Sequence, residues 1–131
     1  MATTVTIHDE ATAGGKTGEC RVEIPESRVT IRESIRRRVE QEVRQYNDST
    51  PGYFRGLVQP REAEVTLNGY KLRKQRQIDG EDQLARAVEA FENHRILVLV
   101  DDHQVDNLDH RIDITSATSV SFVKLVPLVG G

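Results

Sequence analysis

Gly14-Gly15-Lys16-Thr17 has the residue types of a phosphate-binding loop, in which glycine N–H groups and a lysine cradle phosphate oxygens. That pattern also needs a glycine at position 10, where Glu10 stands, and a helix immediately after it, where the sequence reads as strand. We read it as a hairpin turn. Asp101, Asp102, His103, Asp106, Asp109 and His110 offer oxygen and imidazole ligands, yet their spacing fits no recognised metal motif and suits a solvated turn. The lone Cys20 has no histidine pattern beside it and reads as structural or incidental, not as a nucleophile. Arg36-Arg37-Arg38 interleaves with Glu33, Glu40 and Glu42, as on a self-compensated, solvated helix face. Lys71 to Arg76 places four basic residues in six, with a solvated basic loop as the default reading.

A different kind of signal closes the sequence. Val123 to Gly131 holds six apolar or proline positions, one charge and then Gly130-Gly131. Chain ends are ordinarily polar and frayed, and exposed apolar residues are costly unless a partner covers them. Pro127 removes a backbone donor, so this stretch cannot simply extend a sheet edge.

These residues need a scaffold, and the chain has the means for one domain. It is 131 residues long, 37% hydrophobic and 30% charged, enough for a single core without disulfides or a structural metal. With 18 basic against 21 acidic residues, a net charge of -3 gives no bulk attraction for nucleic acid, which is not an expected partner, nor for acidic lipid. The first ten residues lack the basic-then-apolar run of a secretory signal, and no apolar stretch approaches the roughly 20 residues of a membrane span, so no membrane role and a cytoplasmic location are expected.

Val5 and Ile7 alternate with polar neighbours over Thr3 to His8, and Val22 and Ile24 repeat the pattern, so the chain opens with a hairpin joined through the small residues Thr12 to Gly18. Thr30 and Glu33 form a capping box, and Ile31, Ile35, Val39, Val43 and Tyr46 make one helical stripe that Asn47 to Gly52 terminates. Tyr53 to Asp79 reads as a loop with a small hairpin at Asn68-Gly69. A second helix is expected from about Glu81 to Asn93, with Leu84, Val88 and Phe91 on one face. Ile96 to Val100 has the continuous apolar run of a central strand covered on both faces. A polar connection then leads to a last strand, Val120 to about Val126, in which Lys124 shares a face with Val120 and Phe122: either a bulge lies near Val123 or the strand ends there. The order indicates an α+β fold.

Thr17 to Ile35, running from a hairpin through Val22-Glu23-Ile24-Pro25-Glu26-Ser27 into a threonine-capped helix, resembles the corresponding passage of ubiquitin-like β-grasp proteins. Arg95 to Val105, Leu108 to Ile114 and Ser119 to Gly131 resemble that family's third strand, short turn and last strand with a Gly-Gly tail. Val126-Pro127-Leu128-Val129-Gly130-Gly131 is similar to the tails of small sulfur carriers of the same superfamily, of bacterial type. The resemblance implies a mixed sheet of four to five strands with a helix packed on one face. Within a single domain, 1–131, it leaves 47–94 as an inserted loop-plus-helix between the main helix and the third strand, and 126–131 as a flexible tail.

It also implies that the protein is a substrate and not an enzyme. Gly131 would carry the reacting carboxylate and Gly130 the clearance that a residue without a Cβ allows, while Leu125, Val126, Pro127, Leu128 and Val129 would contact an activating enzyme of the ThiF, MoeB or ubiquitin-activating type. No cofactor or metal would be bound, ATP being used by that partner. A conjugating enzyme, a deconjugating peptidase and target proteins with an acceptor lysine would complete the set, giving an isopeptide-linked protein modifier. A sulfur carrier ending in a thiocarboxylate and a non-covalent binding module are the alternatives. Only four lysines accompany 14 arginines, and Lys71 and Lys74 are the candidate acceptors if chains form.

Overall fold

The computed structural model describes residues 3–11, 15–49, 52–66, 69–73 and 77–125. The period-two pattern at Val5 and Ile7 builds β1 (Thr3–Ala11), which pairs antiparallel with β2 (Gly15–Ile24). The hairpin is longer than the residue pattern indicates, because the backbone of Gly15 to Gly18 belongs to β2 and not to the connection. Gly15-Lys16-Thr17 therefore runs as extended strand, without the loop-to-helix geometry that holds phosphate. The register shifts between Asp9 and Glu10, the mark of a bulge.

After Pro25 the chain forms a three-residue strand, β3 (Arg28–Thr30), and turns directly into α1 (Ile31–Ser49). The Thr30 hydroxyl accepts the Glu33 N–H at 3.2 Å, while the Glu33 carboxylate is taken up by Arg36 and Arg37. Two further N–H groups of the first turn, those of Ile31 and Arg32, donate to the carbonyls of His110 and Leu108, both at 3.0 Å. The helix start is thus tied to the loop before β8 (Arg111–Asp113), which pairs with β3. The helix also runs past its expected end at Asn47. The Asn47 amide bonds both backbone groups of Ile78, accepting its N–H at 2.7 Å and donating to its carbonyl at 3.0 Å, so the residue that reads as a terminator is a brace.

Beyond α1 come the hairpin β4 (Ala63–Thr66) and β5 (Gly69–Leu72), then α2 (Gly80–Glu92), capped by the Asp79 carboxylate accepting the Glu81 N–H at 3.0 Å. The buried face of α2 is Gln83, Ala87, Ala90 and Phe91, while Leu84 and Val88 are half-buried, so of the three large apolar residues Phe91 alone is fully buried. Next are β6 (Ile96–Val100) and β7 (His103–Val105), joined at Asp101 and Asp102, whose φ values of 50° and 68° suit a two-residue hairpin turn. Asp101 also accepts the Ser119 N–H at 2.9 Å, which gives this acidic turn a backbone role. Among the described residues no group of histidine, cysteine and carboxylate side chains is placed to hold a metal ion.

The last described strand, β9 (Val120–Lys124), lies inside the sheet, parallel to β1 and antiparallel to β6, giving a mixed five-stranded sheet of order β2-β1-β9-β6-β7. The described residues form an α+β structure with two helices. Val5, Ile7, Val22, Ile24, Ile96, Val98, Val120 and Phe122 form the sheet side of the core, against Ile31, Ile35, Val39 and Val43 of α1. Leu97 and Leu99 are only half-buried, so β6 is not covered on both faces. It is nonetheless an interior strand, paired with β9 on one side and with the edge strand β7 on the other. Among the described residues no helix is long and apolar enough to cross a membrane.

The Thr30 cap can be isolated by Thr30→Ala. The variant is expected to lose about 1 kcal/mol of unfolding free energy in urea titration with no change in fold.

Candidate functional site

The strands deliver Leu125 to the end of the sheet's interior strand, where its N–H donates to the Arg95 carbonyl at 3.0 Å and its side chain is 38% exposed. The other expected tail residues, Val126, Pro127, Leu128, Val129, Gly130 and Gly131, lie outside the described residues, as does Lys74. Lys71 is exposed on β5, opposite Glu64. The structure joins these two places through their neighbours: the Lys124 ammonium lies 5.6 Å from the centre of the Tyr70 ring.

Lys124 leads to a feature that the residue pattern does not announce. The pairing of β9 with both neighbours is unbroken through Lys124, so there is no bulge at Val123, and the strand ends directly after Lys124, short of the expected Val126. Lys124 stays on the core face with Val120 and Phe122. On β1 the same parity brings Asp9 in line with Val5 and Ile7. On α1, Arg38 and Glu42 fall on the buried side with Ile35, Val39 and Tyr46. Arg36 and Arg37 do form the expected self-compensated surface with Glu33, Glu40 and Glu26, but Arg38 does not belong to it: Arg38 is 5% exposed and Glu42 7%.

The four charges close on one another. Arg38 grips Asp9 with both terminal nitrogens at 2.6 Å and donates through Nε to Glu42 at 3.0 Å, while its guanidinium lies 5.9 Å from the centre of the Phe122 ring. Glu42 accepts the N–H of Leu57 at 3.3 Å, and the Lys124 ammonium donates to the carbonyl of Gly56. That N–H and that carbonyl are the two ends of one peptide unit. The 56–57 peptide is therefore held at its positive end by a carboxylate from α1 and at its negative end by an ammonium from β9.

Aromatic packing fits the same segment in place. Phe54 meets Tyr46 edge-on at 5.5 Å and Tyr70 at 6.5 Å, and Phe54 and Tyr70 exchange backbone hydrogen bonds at 2.8 Å. Gly56 is required by this closeness: a Cβ there would collide with the Phe54 ring and come within 2.9 Å of Glu42 Oε1.

Burial sets the electrostatics. Loss of water pushes the Glu42 carboxyl up to about 7, the attraction of Arg38 and Lys124 and the Leu57 N–H only partly opposing it. Burial likewise pushes Lys124 down from its ordinary range, against the pull of Glu42 and Asp9, and pushes the Tyr70 phenol up. Such a cluster can take up or release a proton near neutrality and can hold a backbone segment.

No protein-family model, no curated protein and no solved structure matches this chain.

Two substitutions probe the cluster. Glu42 binds its proton more tightly folded than unfolded, so its contribution to stability is complete below pH 4.5 and is lost as pH rises through about 7. Glu42→Gln cannot ionise, so the wild-type-minus-variant difference in unfolding free energy should fall steadily across that window in urea titrations. Gly56→Ala should cost about 1–3 kcal/mol by the same measurement, because the added methyl must displace Phe54 or Glu42.

Proposed function

We propose that this chain is a ubiquitin-like protein modifier of the β-grasp type that reacts through the carboxylate of Gly131. One observation carries the reading: β9 lies between β1 and β6, parallel to β1, and hands the chain out at exposed Leu125 towards the apolar run that ends in Gly130-Gly131. A first hairpin, a helix across one sheet face and an interior last strand are compatible with a β-grasp. In this reading residues 47–94, with the β4–β5 hairpin and α2, are an insertion that enlarges the surface beside the tail.

The chemistry belongs to partners. The Gly131 carboxylate attacks the α-phosphate of ATP on an activating enzyme and pyrophosphate leaves. A cysteine thiolate of that enzyme then displaces AMP to form a thioester, and a lysine amine of a target displaces the thiolate to give an isopeptide bond. This chain supplies the carboxylate, a backbone that no Cβ obstructs at Gly130, and the apolar contacts Leu125, Val126, Pro127, Leu128 and Val129. It acts as substrate and not as catalyst. Lys71, exposed on β5, is the described candidate acceptor should one copy modify another.

The test uses the protein with Gly131 verified as a free carboxylate by intact mass, ATP, and activating enzymes of the ThiF, MoeB and ubiquitin-activating types from the same organism. Chain-dependent exchange of pyrophosphate into ATP and a thiol-sensitive thioester band are expected, both lost when Gly131 is deleted. Absence of adenylate and thioester with Gly131 intact overturns the reading. A product in which one sulfur replaces one oxygen assigns a sulfur carrier instead.

A further inference from the structure

The 56–57 peptide is held by two charged side chains that come from elements far apart in sequence and meet only in the folded core. Helices and sheets satisfy backbone groups with other backbone groups, and a loop ordinarily leaves its own to water. Here a carboxylate that is 7% exposed is committed to one N–H of a loop. Everything between Tyr53 and Val58 is seated by that grip, by the Phe54–Tyr70 backbone exchange and by the packing of Phe54 and Leu57, which are 1% and 2% exposed.

We propose that Glu42 and Lys124 form a proton-sensitive latch on the Gly56–Leu57 peptide, which holds residues 53–58 and the β4–β5 hairpin over the end of β9 and releases them as Glu42 ionises. The groups facing Glu42 come from four elements: Arg38 on its own helix, Asp9 on β1 through Arg38, Lys124 on β9 and Tyr70 on β5. Among them Arg38 is already shared with Asp9, so Glu42 has part of a guanidinium and the Lys124 ammonium as its counter-charges. With the latch closed, ionised Glu42 must stay out of water. With it open, the carboxylate is hydrated and reverts towards its ordinary acidity. Rising pH therefore favours the open form, between the ordinary carboxylate value and the raised one. Lys124 acts with the opposite sign, because its lowered affinity for a proton in the closed form makes its deprotonation favour closure. Opening uncovers Phe54 and Leu57 next to the point where Leu125 leaves the sheet, so the device sets how much apolar surface stands beside that exit. The latch stands on the 56–57 contacts alone and is independent of the reading of Gly131.

Native-state amide hydrogen exchange tests it. Rates are corrected for intrinsic base catalysis, at pH 5 to 8 and at several low urea concentrations. The amides of Phe54, Leu57 and Tyr70 should open together, more readily than that of Val98 in the core strand and with little urea dependence. Their opening should rise on the order of tenfold or more from pH 5 to 7, as linkage to one carboxyl allows. Glu42→Gln should abolish that rise, and Lys124→Met should speed opening at every pH. If the three amides open only together with Val98 and with the same urea slope, or if Glu42→Gln leaves the pH rise in place, or if Lys124→Met leaves their protection unchanged, there is no latch.

Discussion

Arg38 is the group around which one end of this molecule is organised. A guanidinium cannot shed its proton, so once it is buried its charge must be met where it stands. Asp9 meets it with both oxygens and Glu42 with one, which places a net negative demand on the site that Lys124 answers from β9. The sheet therefore ends its apolar face in charges on two neighbouring strands, and the helix that crosses it carries the complementary pair within its buried side. The 53–58 segment completes the enclosure, and its peptide dipole serves as the last partner. Removing Arg38 takes away the cation that Asp9 and Glu42 share, a loss that in such sites typically costs about 3–5 kcal/mol.

Much of the frame was open to reading because it depends on period. Val5 with Ile7, Val22 with Ile24, and Ile31 through Tyr46 each repeat at the spacing of the element they form, while β4 and β5 are too short to show a period of their own. The three-residue strands β3, β7 and β8 offer no period either, and the pairing of β3 with β8 joins segments more than eighty residues apart. Ile96 to Val100 misleads for another reason: a wholly aliphatic run says that burial is tolerated on both sides, whereas the second side is only half-covered. Leu125, expected inside a last strand reaching about Val126, lies instead just past the end of β9.

The charged cluster was legible in part, though only by treating each break in a pattern as information. Asp9 interrupts the face of Val5 and Ile7, Lys124 that of Val120 and Phe122, and Arg38 with Glu42 falls in step with Ile35 and Tyr46. Each exception by itself looks like the end of an element or a solvated position. Together they are two acids and two bases at one end of three apolar faces, and equal numbers of opposite charges is what a low-dielectric site demands. Nothing in local sequence tells which break answers which, and the Gly56–Leu57 contact depends on a loop whose path has no pattern.

The position of β9 bears on how the chain is made. Ile7 pairs with Val120, so the second edge of β1 waits for a strand synthesised more than a hundred residues later, and β6 waits with it. Until that strand arrives the sheet exists as two separate pieces with open edges, and Glu42 lacks one of its two cations. Pairings of this span are slow to form and leave apolar edges exposed meanwhile. On the ribosome, a chain halted before Val120 should hold the β1–β2 and β6–β7 hairpins unjoined, and the sheet is completed only after Val120–Lys124 has emerged from the exit tunnel.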